Sequence, residues 1–330
     1  MPIPLVTSSN YLRQDLKEGL TQECKTLLST VPIDKGWVAT NLFQYQGFWH
    51  TATQLQGVLT CQQHFQAKPD DLLLITTPKS GTTWLKAVAF ATVNRNRYSS
   101  SDHPLLTTNP HDLVPFLERK LFIDNQNPDL TSFTYPRLFS THLPYVSLPK
   151  SVEQLGCKMV YLCRDPRDAF ISLWHFTNKL RTQTLGTLSL EEAFERFCRG
   201  VCLYGPAWDH IMDYWKKSLE RPENVFFLKF EEMKAQPSVQ LKRLAEFFGC
   251  PFSKEEEKKG VVEEILKLCS FDHLSNLNVN KTGKLSSGEE NSTFFRKGEV
   301  GDWINHLTPQ MIKKFEQITE EKFHGSGLQF

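Results

Sequence analysis

The chain has 330 residues, 40% of them hydrophobic, so it is long enough to bury a full core within one large domain. Its 38 basic and 37 acidic side chains give a formal net charge of +1 at pH 7, which excludes the strong field expected of a protein that binds nucleic acid or an anionic membrane. The sequence shows neither a signal peptide nor the roughly 18 to 20 apolar residues of a membrane span, so we expect a cytoplasmic protein with no nucleic-acid and no membrane partner.

The eight cysteines are scattered along the chain and form no CxxC pair. This spacing predicts reduced thiols in the core rather than a disulfide framework. Cys198 and Cys202 lie four residues apart on a predicted helix, which could suit a metal ion. No histidine or second cysteine pair completes a ligand set, so we expect no metal site.

The first 70 residues are predicted to be an N-terminal lead-in that belongs to the same domain as the rest of the chain. A polar helix is expected within the first thirty residues. Residues 34–50 are rich in aromatic side chains but show no clean periodicity. Trp37 and Phe43 in this segment could line a ligand pocket or pack in the core, and the sequence leaves both roles open.

Strands and helices alternate along the remainder of the chain. Three short apolar runs have the length and composition of buried strands: 72–77, 158–163 and 224–230. Helices are predicted by periodicity or by start signals: 82–93, from Asp165 and Pro166 past Trp174, from Ser189 with Glu192, from Pro237, and from Thr308 and Pro309. This alternation predicts an α/β fold class, with a single domain and a mostly parallel central sheet flanked by helices. Residues 283–292 are polar and rich in glycine and serine, which predicts a mobile loop.

The loop between the first strand and the first helix has the composition of an anion-binding cradle. It offers one glycine for tight turning, three hydroxyl groups, one lysine and the unpaired amides of a helix N-terminus: Lys79, Ser80, Gly81, Thr82 and Thr83. The lysine precedes the glycine, whereas it follows the glycine in a Walker A loop, so a P-loop kinase is disfavoured. Alone, such a short motif is equally consistent with an ordinary solvated turn.

Residues 78–84, Pro-Lys-Ser-Gly-Thr-Thr-Trp, resemble the 5'-phosphosulfate loop of the cytosolic sulfotransferase family. Three further segments occur in that family's order and spacing: Thr-His-Leu-Pro at 141–144, Arg-Asp-Pro-Arg-Asp at 164–168 with Ser172, and Arg-Lys-Gly at 296–298 with Gly-Asp-Trp at 301–303. One short motif is weak support, but four in register are specific. The surrounding residues are most similar to the plant, flavonol sulfotransferase-like branch of the family.

The resemblance implies an enzyme that transfers the sulfonate of 3'-phosphoadenosine 5'-phosphosulfate (PAPS) to a hydroxyl of a small organic acceptor. Adenosine 3',5'-bisphosphate (PAP) would be the second product, and no metal would take part. The sulfotransferase domain would span residues 71–330, with a P-loop-like strand, loop and helix that bind the phosphosulfate. A non-catalytic module that binds a nucleotide or small ligand through the same loop is the alternative.

Two residues are the predicted catalytic groups. The acceptor hydroxyl is a poor nucleophile until its proton is removed, and His142, which follows a strand-like segment, is the predicted general base. Lys79 is predicted to stabilise the charge that develops on the leaving phosphate.

The resemblance also implies the contacts of the donor. The 5'-phosphate would be held by the loop residues Lys79, Ser80, Gly81, Thr82 and Thr83. Adenine would lie against the rings of Trp84, Phe230 and Phe271. The 3'-phosphate would be bound by Arg164, Ser172, Arg296, Lys297 and the Gly298 amide. Arg167 and Asp168 are expected to form surface ion pairs at a helix start.

The chain departs from the best-known animal pattern in two places near the donor. Phe230 stands where many animal members have tyrosine, which keeps a stacking ring but removes a hydroxyl hydrogen bond. Ser140 stands where they have lysine, which removes one cation and leaves more of the charge to Lys79.

The acceptor is predicted to be a flavonoid-type phenol of plant specialised metabolism. A steroid, a hydroxylated hormone and a desulfo-glucosinolate are the alternatives, and Trp37 and Phe43 would line the acceptor pocket unless they belong to the core. The dimer motif of the animal members requires a lysine and a valine after Gly-Asp-Trp, whereas this chain has Ile304 and Pro309. We therefore expect a monomer.

Overall fold

The strands form two separate sheets with helices around them. A computed structural model describes residues 19–123 and 125–330. Within them the strands are β1 (Ile33–Lys35), β2 (Asn41–Tyr45), β3 (Phe48–His50), β4 (Leu72–Thr76), β5 (Leu138–Thr141), β6 (Lys158–Cys163) and β7 (Val225–Lys229).

The helices of the same residues follow the chain in this order: α1 (Gln22–Leu28), α2 (Ala52–His64), α3 (Thr82–Asn94), α4 (Pro110–Leu113), α5 (Lys150–Gln154), α6 (Pro166–Leu180), α7 (Leu190–Cys198), α8 (Ala207–Glu220), α9 (Phe230–Ala235), α10 (Pro237–Phe248), α11 (Lys254–Lys258), α12 (Val261–Leu268), α13 (Phe271–Asn276), α14 (Asn278–Thr282) and α15 (Pro309–Phe323). A π-helical turn occupies Leu117–Leu121. The helix starts predicted at residues 82, 166, 237 and 309 are confirmed.

The central sheet is fully parallel and has the strand order β5-β4-β6-β7. The predicted α/β fold, a single domain with a mostly parallel sheet flanked by helices, is confirmed. Because the strands are parallel, their carboxyl ends meet at one edge of the sheet, where ligands of such folds bind. The first residues beyond β4, β5, β6 and β7 are Thr77, His142, Arg164 and Phe230, so the sheet brings the motif-bearing segments together.

Hydrophobic clusters cover both faces of this sheet. Along β4 every residue is buried, and alternate side chains point to opposite faces. Leu73 and Ile75 join one cluster, while Leu72 and Leu74 join the other. Each such side chain contributes about 1.5–3 kcal/mol when fully buried, so the strand that precedes residues 78–84 is firmly held.

The second sheet lies in the N-terminal segment, where the sequence showed no clear periodicity. Strands β1, β2 and β3 form an antiparallel meander in which Phe43 pairs with His50. All three residues of β3 are buried, so the alternation of polar and apolar residues that marks a half-exposed strand is missing. The Trp49 amide donates to the Gly205 carbonyl at 2.9 Å, which ties the small sheet to the main body.

The third predicted strand, 224–230, is slightly shorter in the structure. Strand β7 ends at Lys229, and Phe230 begins a helix. Residues 283–292 form a turn closed by backbone hydrogen bonds, including Asn291 N to Gly283 O at 2.9 Å.

The eight cysteines are free thiols. In the described part of the chain no helix is both long enough and apolar enough to cross a membrane. Residues 1–18, the first part of the predicted lead-in, lie outside the described residues.

Candidate active site

A cavity of about 300 Å³ lies at the carboxyl edge of the parallel sheet. Thirteen of the site residues predicted from the sequence line it: Lys79, Gly81, Thr82, Thr83, Trp84, His142, Arg164, Ser172, Phe230, Phe271, Arg296, Lys297 and Gly298. Ser80 lies beneath the loop, fully buried, with its Oγ 2.6 Å from Thr77 Oγ1. The sheet thus gathers segments that are more than 200 residues apart in the chain.

The loop from Pro78 to Gly81 turns sharply between β4 and α3. Lys79 and Gly81 both have positive φ angles, +70° and +105°. A Cβ on Gly81 would lie 2.9 Å from Phe230 Cδ2, so glycine is needed both for the backbone angle and for the close packing. Below the turn, Thr76 Oγ1 and Thr82 Oγ1 are 2.7 Å apart. The loop is therefore held rigidly with its amides at the start of α3.

Lys79 is a cation with weakened hydration. Its Nζ lies 4.1 Å from the centroid of the Phe176 ring. Burial, and then the positive charges of Arg296 and Arg164, lower the pKa of Lys79 to about 7. A bound anion would relieve this repulsion, so the cluster favours a multiply charged ligand.

His142 is held by hydrogen bonds on three sides. Its Nδ1 lies 2.7 Å from the Thr76 carbonyl oxygen, its amide donates to Glu118 Oε1 at 2.9 Å, and its carbonyl accepts from His210 Nε2 at 2.9 Å. A carbonyl oxygen can only accept, so Nδ1 carries the proton and Nε2 keeps its lone pair. Burial, and then the charge of Arg119, hold the pKa of His142 well below its usual value. The imidazole is therefore a neutral base at pH 7.

Glu118 contacts the predicted base, and the sequence did not single it out. It is fully buried on the π-helical turn, and besides the His142 amide it accepts from Thr141 Oγ1 at 2.8 Å. Burial raises the pKa of this carboxyl group. A Cβ on Gly57 of α2 would lie 1.8 Å from the Glu118 carbonyl oxygen, so this glycine lets the helix approach the turn. In the sequence, Leu-Glu-Arg-Lys resembles any solvated charged stretch.

Two arginines form the basic end of the cavity. The guanidinium carbon of Arg164 lies 4.5 Å from the centroid of the Phe230 ring, and its Nη2 donates to the Glu299 carbonyl. Arg296 Nη1 and Lys297 Nζ both bind Asp302, at 2.6 and 2.5 Å. The Nε atoms of Arg164 and Arg296 are buried and have no hydrogen-bond partner among the described residues. Such unpaired donors suit an anion with several acceptor oxygens.

Aromatic rings line the cavity beside this basic end. Trp84 meets Phe230 edge to face, with centroids 5.5 Å apart. Phe271 packs against Phe295 at 6.0 Å, and a Cβ on Gly298 would lie 2.6 Å from Phe271. Gly298, whose φ is +66°, therefore allows the Phe271 ring to pack directly against this segment.

Comparison with known proteins identifies the family. Residues 69–327 match the model of the sulfotransferase domain. The chain belongs to the plant cytosolic sulfotransferases. Cytosolic sulfotransferase 5 of Arabidopsis thaliana is 51% identical over 316 residues, which cover 95% of this chain and 98% of that protein. Cytosolic sulfotransferase 6 of the same plant is 52% identical over 317 residues, covering 95% and 96%.

Solved structures agree with this assignment. An Arabidopsis thaliana sulphotransferase, 43% identical, superposes with a TM-score of 0.75 and covers 94% of this chain and 98% of its own. A mouse sulfotransferase crystallised with PAP is 27% identical, with a TM-score of 0.67 and coverage of 86% and 95%. The predicted family is confirmed, and the protein is a PAPS-dependent sulfotransferase.

Trp37 and Phe43 lie elsewhere in this sulfotransferase. Trp37 is fully buried, donates from Nε1 to the Val201 carbonyl at 2.7 Å, and packs edge to face on Phe170. Phe43 belongs to a small cluster between the N-terminal sheet and α2. Neither lines the cavity at the sheet edge. Their assignment to an acceptor pocket stays a prediction, because spacing alone does not distinguish a core ring from a ligand-facing one.

Asp168 also differs from expectation. It is fully buried rather than part of a surface ion pair, and it accepts from the amides of Gly301 and Trp303 at 2.7 and 3.1 Å. It therefore holds the segment that follows Gly298 against α6 in the sulfotransferase. Arg167 is partly exposed and pairs with Asp165 at 2.6 Å, as a helix-start ion pair does.

Proposed function

We propose that this sulfotransferase transfers the sulfonate of PAPS to a hydroxyl of a flavonoid-type phenol, with His142 as general base and Lys79 as the cation at the leaving phosphate. The observation that carries the proposal is the fixed tautomer of His142. Its Nδ1 is tied to the Thr76 carbonyl while its ring lines the same cavity as the phosphosulfate loop. A module that only bound a nucleotide would need the loop but not such a base.

The residues around the cavity fit the donor. The amides and hydroxyls of the loop would hold the 5'-phosphate, and the unpaired Nε donors of Arg164 and Arg296 suit the 3'-phosphate. Ser172, Lys297 and the Gly298 amide would complete that contact. Among the described residues that line the cavity none is an aspartate or glutamate, so no carboxylate opposes the anion there. The mouse sulfotransferase crystallised with PAP gives this assignment further support.

His142 and Lys79 divide the chemistry between them. PAPS supplies the sulfonate when bound. His142 Nε2 would take the proton of the acceptor hydroxyl, for which a neutral imidazole in a dry site is suited. Lys79, with weakened hydration beside Phe176, would offset the negative charge on the departing bisphosphate. No metal is required for either role.

The aromatic side chains near His142 fit a planar acceptor. Phe116 lies 4.6 Å from the His142 ring, and Phe176 and Phe294 line the same cavity with centroids 5.7 Å apart. Aromatic walls of this kind favour a planar phenol. A steroid, a hydroxylated hormone and a desulfo-glucosinolate remain the competing acceptors. Relatives named as cytosolic support a cytoplasmic enzyme, and the monomer stays a prediction from Ile304 and Pro309.

Transfer of labelled sulfonate from PAPS to a panel of acceptors tests the proposal. The panel holds flavonols, simple phenols, steroids, hydroxylated hormones and desulfo-glucosinolates. We expect the highest kcat/KM with flavonols. A higher value with another class would refute the acceptor assignment alone. No transfer to any acceptor, despite tight binding of PAP, would favour the binding module.

Arg296 should determine recognition of the 3'-phosphate. Arg296→Ala removes a charge-assisted hydrogen bond, so PAP should bind about 10- to 100-fold more weakly. Adenosine 5'-phosphate lacks the 3'-phosphate, and its affinity should change less than about twofold. Calorimetric titration measures both. Arg243→Ala, at an exposed position on α10, serves as the control and should leave both affinities unchanged. Equal losses for the two nucleotides would contradict the assignment.

A further inference from the structure

Three polar side chains, joined by hydrogen bonds, lead from the core to the phosphosulfate loop. Lys86 of α3 is fully buried, and its Nζ lies 3.0 Å from His111 Nδ1. The other ring nitrogen, His111 Nε2, lies 3.0 Å from Thr83 Oγ1. His111 and Thr83 line the cavity, whereas Lys86 lies behind them. The catalytic roles proposed above use neither Lys86 nor His111.

The hydrogen bonds between these three side chains can have only one direction when Lys86 is charged. An ammonium group donates and cannot accept, so His111 Nδ1 accepts from it. Burial, and then the nearby Lys86, hold the pKa of His111 well below its usual value, so the ring is neutral and Nε2 carries its one proton. Nε2 therefore donates to Thr83 Oγ1. The hydroxyl proton of Thr83 is left to donate elsewhere, and the residue faces the cavity.

Opposing influences act on the charge of Lys86. Its Nζ lies 3.5 Å from the centroid of the Phe116 ring, which stabilises a cation. The Phe116 backbone forms a bridge with Ser140, the position where animal members have a lysine. The Ser140 hydroxyl is buried and lacks a hydrogen-bond partner within the described residues. Burial opposes the charge and lowers the pKa of Lys86, while phosphate groups in the cavity would favour it.

We propose that Lys86 and His111 are positioning residues that turn the Thr83 hydroxyl into a hydrogen-bond donor for the phosphosulfate of PAPS. The inference rests on the proposed function, since it assigns a direction to one contact of the same donor site. A buried lysine that served packing alone would be costly, because an apolar side chain of the same length fills the space without desolvating a charge. Through its hydrogen bond to His111, the Lys86 charge would orient the Thr83 hydroxyl of the loop.

Binding of PAP to three variants tests the coupling. Lys86→Met keeps the length of the side chain and removes the charge, so PAP should bind about tenfold more weakly, with the donor KM raised and kcat nearly unchanged. Thr83→Val should show a similar loss. The double variant should be no worse than Thr83→Val, because both changes remove the same hydrogen bond. Lys322→Met, which removes a partly exposed lysine paired with Asp209, is the matched control. Additive losses would overturn the inference.

A second pair of variants keeps the test valid if Lys86→Met does not fold. His111→Gln retains an amide oxygen that can accept from Lys86 and an NH₂ group that can donate to Thr83, so it should keep most of the affinity for PAP. His111→Leu removes both and should lose about tenfold. Equal affinities of the two variants would refute the inference.

The tautomer of His111 is a direct readout. In ¹⁵N-labelled protein with PAP bound, we expect Nε2 protonated and Nδ1 unprotonated, and a loss of this preference in Lys86→Met. A protonated Nδ1 in the wild type would overturn the inference. Wild-type protein that neither bound PAP nor transferred sulfonate would instead refute the proposed function itself. Normal binding and transfer with an unchanged Kd in Lys86→Met would refute this inference alone.

Discussion

Replacing His142 by alanine should lower kcat by about 100- to 10,000-fold, the range that a general base contributes. The loss follows because Nε2, the free nitrogen of a ring whose Nδ1 is bound to the Thr76 carbonyl, would no longer take the acceptor proton. The affinity for PAP should change little, since the phosphate contacts lie on other segments. Single-turnover sulfonate transfer and calorimetric titration of PAP measure the two effects. His324→Ala, at an exposed histidine near the C-terminus, is the control.

The pH dependence gives an independent test of the same base. Because burial and Arg119 lower the pKa of His142, the neutral base persists as the pH falls below 6.5. The acidic limb of kcat/KM should therefore lie below pH 6.5 in the wild-type enzyme. An acidic limb at or above that value, or substantial turnover by His142→Ala, would show that another group removes the proton.

Gly57→Ala should destabilise the protein by about 3 kcal/mol or more, at the upper end of overpacking effects. The added Cβ would meet the Glu118 carbonyl oxygen at 1.8 Å, a backbone atom that cannot rotate away. Helix propensity alone predicts the opposite sign, because alanine in a helix interior is favoured over glycine by about 1 kcal/mol. The sign of the change in unfolding free energy, measured by urea denaturation, thus decides whether the close approach of α2 and the π-helical turn is real.

A second consequence should appear in turnover. Displacing Glu118 would disturb the carboxylate that binds the His142 amide and the Thr141 hydroxyl, so Gly57→Ala should also lower kcat under conditions where the protein is folded. Gln63→Ala, on the exposed side of the same helix, should change the unfolding free energy by less than about 0.5 kcal/mol and leave kcat unchanged. A stabilised Gly57→Ala with full activity would contradict this account of the turn.

Prediction from the sequence succeeded where the signal is local. Two of the predicted apolar runs, 72–77 and 158–163, contain strands β4 and β6, and each run is followed directly by a motif. Once the sheet was predicted to be parallel, these ends had to meet at one edge. Prediction failed for residues 33–50, because β3 is buried on both faces and loses its alternation, while β1 and β2 are only three and five residues long.

The same limit applies to the surroundings of single side chains. Trp37 is as aromatic as Trp84, and no property of either residue type distinguishes a core ring from a cavity ring. In the sequence, Asp168 lies just after a helix start, which is usually exposed. In the folded protein it is covered by the segment at Gly301, 133 residues later in the chain. A buried and a solvated aspartate have the same side chain, and only the packing around them differs.

The amino-acid sequence by itself determined the family, the parallel sheet and the loops that would meet the donor, because each depends on contiguous residues and on the general geometry of strands. The tertiary structure decided the state of the groups in the site. The proton on His142 Nδ1 depends on a carbonyl 66 residues away, and the buried Glu118 and Lys86 depend on helices packing across the sheet edge. Hydrogen bonds and burial, unlike motifs, are properties of atoms brought together in space, so their directions and pKa shifts exist only in the folded chain.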